Sequence, residues 1–347
     1  MNISLNIRPV GKYVNDDGRE GVRYAWALDG SDDVYVESGA FYKRTYLDTK
    51  SIDAGIAAYT TSVSLGCILS EGSKQCKFCV TGNLIPFRRL LTAEEIALQN
   101  VFMVLDDLEA NRANKPREFA YMGQGEPGFS YSQVREAILI TNSVMNSLGV
   151  EVYRHIFATS GVPSAIRSLT NDVARGVFGK TKILLHLSIH SAFNREQLMP
   201  IDQLYPVKDV ISASEEYAKA INDKVVINLM MLKDAMLMGS GPFNTMSPVY
   251  ALNLIKILNP KYHRVTLCEY NADGKVGTNN LITPEEVSAL ENIFVSNGFE
   301  FKKFVAFGKQ HKLACGLLGG QAIPNIDPTK TDPILEKAID LIKKQQL

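Results

Sequence analysis

The chain opens on short runs in which apolar and polar residues alternate. VRYAWALDG and DVYVESGAF flank a Gly-Ser-Asp-Asp turn, a pattern that predicts a β-hairpin. From Tyr59 onward, short apolar runs take turns with longer amphipathic stretches. The strand candidates are YTTSVSLGC, EFAYMGQG, VYRHIFATSG, KILLHLSIHS, KVVINLMMLKD, HRVTLCEYN and EFKKFVAFG. The helices between them have legible starts. Thr92 with Glu95, and Ser130 with Gln133, read as capping boxes; Thr283, Pro284 and Glu286 supply an N-cap, an N1 proline and an acidic first turn. Repeated strand–helix units predict a parallel sheet. About six units are too few for a closed eight-stranded barrel, so the expected architecture is an open or partial one. The boundaries follow: a β-rich extension over residues 1–55, the partial barrel over 56–322 and a helical tail over 323–347.

Chemistry in such a sheet gathers at the C-terminal ends of the strands. In KILLHLSIHS, Leu185, Leu187 and Ile189 share one face, and His186, Ser188 and His190 the other. The polar face marks a site inside the barrel; hydrogen-bonded interior groups are the equal alternative.

Composition narrows the setting. Of 347 residues, 46% are apolar, enough for a large core, and the formal net charge of zero gives no argument for an extended nucleic-acid surface. Three of the five cysteines are clustered, which is not a secreted disulfide framework. The N-terminus lacks the apolar core of a signal peptide, and no apolar run approaches membrane-spanning length. A cytoplasmic, reducing setting with no membrane partner is expected.

The clustered cysteines are Cys67, Cys76 and Cys79. Soft thiolates select iron–sulfur clusters, zinc or copper. A structural zinc site, as in a zinc-dependent binding module, normally wants four ligands, and the nearest histidine in sequence is His155. Three thiolates without a fourth suit a 4Fe–4S cluster with one iron open to a ligand, and an open iron points to catalysis.

Taken together, these segments resemble the radical S-adenosylmethionine (SAM) enzymes, and within them the RlmN/Cfr group of RNA methyltransferases. The resemblance rests on SVSLGC…CKFCVTGN, FRRLLTAEEI, MGQGEP at Met122–Pro127, ATSGVP at Ala158–Pro163, SIHSAFNREQLMPI, CEYN, and LACGLLGG at Leu313–Gly320, all in the group's order. It implies an α/β fold, a partial (β/α)6 radical SAM barrel with a short N-terminal β-hairpin extension. It implies that Cys67, Cys76 and Cys79 hold three irons while SAM chelates the fourth. Gly125 and Glu126 would receive the SAM amino end, and Ser160, Ser188, His190 and Asn271 the rest of the molecule. Phe78 would lie near the adenine or shield the cluster. Cys315 matches the methyl-carrying cysteine, and Glu37 a carboxylate near the site. An electron donor such as flavodoxin or ferredoxin is implied, with RNA as substrate.

Three departures from the group stand out. Eight residues, ILSEGSKQ, separate Cys67 from Cys76 where the group has three; a polar surface bulge costs under ~1 kcal/mol of extra closure entropy. Thr60 occupies the place of a cysteine that aids product release, and Cys268 is the remaining thiol, more readily an apolar filler than a replacement. The stretch ahead of the barrel is too short for the group's N-terminal helical RNA-holding domain. Against that, Lys302, Lys303, Lys309, His311 and Lys312 precede Cys315, and Arg88 and Arg89 follow the cluster ligands; they suit phosphate contact or an ordinary solvated face. A radical acting directly on a peptide, nucleotide or metabolite, without methyl transfer, is the second reading.

Overall fold

The computed structural model describes residues 7–14, 21–28, 31–42, 55–112, 115–272, 276–304 and 327–345. One ten-stranded sheet organises them. Strands β1 (Ile7–Val14), β2 (Gly21–Leu28) and β3 (Ser31–Phe41) form an antiparallel meander, and β3 pairs antiparallel with β4 (Ala57–Thr60). From there the sheet is parallel: β4, β5 (Arg117–Tyr121), β6 (Val152–Thr159), β7 (Ile183–Ser188), β8 (Val225–Met231), β9 (His263–Glu269) and β10 (Phe301–Phe304). Six helices link these strands in turn: α1 (Ala93–Glu109), α2 (Tyr131–Ser147), α3 (Pro163–Ala174), α4 (Val207–Ile221), α5 (Pro248–Ile257) and α6 (Pro284–Ser296). The predicted hairpin gains a third strand, β1, and its strands join the barrel sheet. A last helix, α7 (Pro328–Lys343), packs on α1 and α2.

The pleat divides the buried residues. Phe119, Tyr121, Phe157, Leu185, Leu187, Ile227 and Val265 belong to the large core shared with the helices. Ala120, Ile156, Leu184 and Val226 form a separate small cluster with Met122 and Ala158. Neighbouring strands bring Thr60, Ala120, Ile156 and Leu184 into one row, so this second face lines the barrel interior.

The Thr92–Glu95 and Thr283–Glu286 boxes both form. The Ser130–Gln133 box does not. Ser130 ends a tight turn over Pro127–Phe129, its N–H bound to the Pro127 carbonyl, so its backbone (φ −121°, ψ 31°) cannot aim the hydroxyl into the helix. YTTSVSLGC also departs from expectation: the main sheet keeps only Ala57–Thr60, and Ser64–Leu65 pairs separately with Arg89–Leu90.

Two histidines away from the C-terminal strand ends, His155 and His263, are buried as neutral rings. His155 stacks on Phe119 and Tyr121, donates to Asn142 Oδ1 (2.8 Å) and accepts at Nδ1 from the Tyr121 hydroxyl (3.0 Å). His263 accepts at Nδ1 from Asn259 N–H and meets Ser214 Oγ at 2.9 Å. Burial lowers His155 to about 3 and His263 to about 4. Both folded values lie below the unfolded value near 6.5, so their contribution is complete above that pH and is lost as pH falls toward 4. Urea midpoints should fall on acidification below about pH 6, by up to about 1.4 kcal/mol per pH unit for each ring. His155→Gln should flatten that limb; a limb of unchanged slope would show that the ring does not titrate.

Candidate active site

The loop after β4 is held by side chains as well as by backbone bonds to Ala120, Gly123, Gln124 and Leu91. Gln99 of α1 accepts from Ser62 N–H and donates to the Ser62 carbonyl, both at 3.1 Å, as a strand partner would. Thr61 donates to Asn100 Oδ1. Ser62 Oγ donates to the Glu37 carbonyl and accepts from Gln124 N–H (2.9 Å), while Gln124 Oε1 accepts from Gly66 N–H (3.3 Å). The segment 122–127 fits against this loop only because it carries glycines. A Cβ at Gly125 (φ +102°) would lie 2.1 Å from Ser64 Oγ, and one at Gly123 2.8 Å from Ser62 N.

Cys67 follows directly, buried. The eight-residue interval makes tight turns over Ile68–Ser73, sinks Leu69 into the core and exposes Glu71, Gly72 and Ser73. Lys74 Nζ closes it by reaching Gln203 Oε1. Cys76 and Cys79 then bracket a short loop; Cys79 caps the helical turn Val80–Leu84, its sulfur accepting from Gly82 N–H. This loop docks on the segment after β7: Lys77 N–H donates to the Leu198 carbonyl (3.0 Å), and Phe78 meets His190 edge-on at 5.1 Å.

Burial raises all three thiols. Cys67 and Cys76 are raised further by neighbouring thiols, so the sulfurs sense one another. Three clustered thiolates, one buried and two half-buried, need a cationic partner. Among the described residues no group closes on a single metal ion. A cubane spreads its thiolates over separate corners, and three clustered thiols with no fourth ligand fit that group better than a structural zinc.

Across from the thiols lie the ends of β5, β6 and β7. Glu126 is buried and saturated: Oε1 accepts from Gly128 N–H (2.8 Å) and Thr159 Oγ1, and Oε2 from Ser160 N–H (2.8 Å) and Oγ (2.6 Å). His190 sits in the left-handed region (φ +58°), and its Nδ1 accepts from Met230 N–H (3.1 Å). Burial first, then the charge of Arg195, lowers it to about 3, so the ring is neutral with its proton on Nε2. Arg195 itself is buried and forks onto the carbonyls of Ser160 (2.6 Å), Ser188 (3.1 Å) and Ile189 (3.1 Å) and onto Asp202 (2.8 Å).

Known proteins share this fold. A radical SAM methyltransferase from Sphaerobacter thermophilus superposes with a TM-score of 0.71, covering 90% of this chain and 81% of its own at 22% identity, which establishes the common fold. Two curated relatives carry the name probable dual-specificity RNA methyltransferase RlmN. The one from Dictyoglomus turgidum is 27% identical over 274 residues, 76% of this chain and 69% of its own. The one from Christiangramia forsetii is 28% identical over 268 residues, 76% and 70% respectively. The chain is thus RlmN-like over three quarters of its length and shares the fold of a radical SAM methyltransferase. No family model matches it.

The barrel brings together Cys67, Cys76, Cys79, Phe78, Glu126, Ser160, Ser188 and His190. Asn271 follows β9, half-buried. Glu37 is held in a buried ion pair with Arg23, whose Nε donates to Oε2 at 3.0 Å, and its carbonyl accepts from Ser62 Oγ in the loop before the cysteines. Thr60 faces the interior in the row of Ala120; Cys268 is half-buried, 4.0 Å from Asn228 Oδ1. Cys315, Lys309, His311 and Lys312 lie outside the described residues. Arg89 is paired with Glu95, Lys303 with Glu291, and Arg88 is exposed. The sequence reading passed over Arg195, Gln99 and Gln124. Arg195 stands inside a quoted motif, and Gln99–Asn100 interrupt an otherwise apolar helix stretch, which was the available signal.

Proposed function

We propose that the chain is a radical SAM C-methyltransferase of the RlmN/Cfr type, whose Cys315 carries a methyl group to an unreactive carbon of an RNA adenine or a similar heterocycle. One observation carries the reading. The three-cysteine loop docks, through Phe78 and Lys77, on the strand ends bearing Ser160, Ser188 and His190, in a chain whose curated relatives are named as RNA methyltransferases over three quarters of its length.

In this reading Cys67, Cys76 and Cys79 hold three irons of a 4Fe–4S cluster. With cluster and SAM bound, the site supplies reductive cleavage of SAM, and so a carbon radical that can activate a methyl group. The protein's own part is placement. The backbone at Gly125 and the carboxylate of Glu126 take the SAM amino group, which then replaces or shares one of the four donors on that carboxylate. His190, neutral, offers Nε2–H; the Ser160 and Ser188 hydroxyls and the Asn271 amide serve ribose and adenine. Phe78 closes the apolar side. Reductive cleavage of SAM calls for an electron donor of the flavodoxin or ferredoxin class, and a cytoplasmic setting suits it. Arg88 is a candidate for phosphate contact. No helix among the described residues is long and apolar enough to cross a membrane.

The direct-radical reading draws on Thr60, which stands where the group's release cysteine would be. Anaerobic reconstitution with iron and sulfide, then methyl-labelled SAM, a reductant and total RNA, separates the two. Methyl transfer predicts label on Cys315 by mass spectrometry and in RNA, with Cys315→Ala reducing RNA labelling to background. Deoxyadenosine formation that survives Cys315→Ala, with no label on the protein, would overturn it in favour of the second reading.

A further inference from the structure

Arg195 is 1% exposed and has no part in the roles above. Its guanidinium closes a gap between two strands: one nitrogen donates to the carbonyls of both Ser160 and Ser188, at the ends of β6 and β7, and Nε to Ile189. A neutral amide has too few donors to satisfy three carbonyls and a carboxylate at once. Its single carboxylate partner, Asp202, keeps 17% of its side chain exposed, so solvent weakens that compensation. Arg195 opens the helical turn Arg195–Leu198, whose last carbonyl accepts Lys77 N–H from between Cys76 and Cys79. The cation therefore stands at the start of the turn on which the ligand loop docks, behind the segment between Cys76 and Cys79.

The geometry points to Arg195 as a positioning residue with two separable effects: its fork fixes the strand ends that carry Ser160 and Ser188, and so sets SAM affinity, while its charge favours the reduced state of the cluster. The inference rests on the cluster assigned above. Reduction adds one electron from an external donor and so one negative charge; a fixed cation nearby stabilises that state and raises the potential.

The two effects part under substitution. Arg195→Lys keeps the charge and loses the fork; Arg195→Gln loses the charge; Asp202→Asn keeps the acceptor and uncovers the cation. Each reconstituted protein is titrated anaerobically with dithionite in the absence of SAM, the cluster followed by electron paramagnetic resonance, and SAM binding is measured by equilibrium dialysis. Arg195→Gln should lower the ratio of reduced to oxidised cluster at fixed potential about tenfold, about 59 mV for one electron. Asp202→Asn should shift the midpoint the opposite way, and Arg195→Lys should stay near the parent. SAM affinity should fall about tenfold in both Arg195 variants. Structural damage would move Arg195→Gln and Asp202→Asn in the same direction, so shifts of one sign, or none, overturn the inference while leaving the cluster standing. If Arg195→Gln fails to load, Asp202→Asn decides alone: a raised midpoint supports the inference and an unchanged one overturns it. A parent protein that binds no cluster overturns this inference and the proposed function together.

Discussion

Gly66→Ala should unfold the cysteine loop and strip the protein of bound iron while leaving the rest of the barrel folded. Gly66 has φ +69°, and a methyl there would lie 2.3 Å from the Pro86 carbonyl oxygen, 2.7 Å from its carbon and 2.8 Å from Phe87 Cα. These are backbone atoms, which cannot rotate away. The left-handed conformation alone costs an alanine roughly 1–2 kcal/mol. Relieving the collision means parting two chain segments and losing the bond from Arg88 N–H to the Leu65 carbonyl (3.0 Å) and the Ser64–Leu90 pairing. The total should be about 3–5 kcal/mol. Iron content after anaerobic reconstitution and a urea titration measure the two halves. Gly72 is the control: its φ is also positive, but a methyl there meets nothing within 4 Å, so Gly72→Ala should pay only the conformational strain and retain its iron. Equal iron loading in Gly66→Ala and the parent would mean that the loop relaxes freely.

Asp107→Ala should be about as damaging, by a different route. Asp106 and Asp107 end α1 beneath the N-terminal meander. Asp107 is fully buried and accepts from the hydroxyls of Tyr42 and Tyr59 (2.7 Å to Tyr59) and from Arg112 Nε (3.1 Å). Asp106 accepts from Lys12 (2.7 Å), Tyr24 and Arg112. Burial raises the Asp107 carboxyl despite those donors; at Asp106 burial works the same way, but hydrogen bonds from Lys12 and Tyr24 win and hold it low. Removing the Asp107 carboxylate leaves two phenols and part of a guanidinium buried without their acceptor, a loss of about 3–5 kcal/mol. Asp107→Asn keeps the shape and one acceptor and should lose less. The measurements are urea unfolding and limited proteolysis of β1–β3, whose attachment to α1 runs through Lys12, Tyr24 and Tyr42. An unaltered cleavage rate would place the anchor elsewhere.

The parallel core of this fold was legible because each strand carries its own period. KILLHLSIHS states in ten residues which side chains meet the helices and which face the interior, and the sheet obeys it. The boundaries were less legible where remote side chains decide them. YTTSVSLGC reads as one strand, yet its second half is held by Gln99 and Gln124, 37 and 62 residues from Ser62, and no local pattern announces such partners. Ser130 carries the signature of a cap, but the turn before it takes the needed backbone conformation away. The motif glycine Gly125 was read for the room it gives a ligand; the crowding atom in the structure is Ser64 Oγ, from the cysteine loop itself. Arg195 was missed because an arginine followed by glutamate and glutamine reads as solvated surface. Only the folded chain shows three carbonyls converging on it.

The amide of Gln99 has a consequence for how this site can change. The backbone leading into Cys67 is gripped from behind, at Ser62 and Gly66, and the backbone leaving Cys76 is gripped from ahead, at Lys77 and Gly82. Neither grip depends on the number of residues in between. The interval from Ile68 to Gln75 is thus a module of free length: it can be extended, shortened or given new contacts, as Lys74 has found in Gln203, without moving the sulfurs. A barrel mouth built this way can acquire a different substrate by loop variation alone, with the ligand set inherited intact.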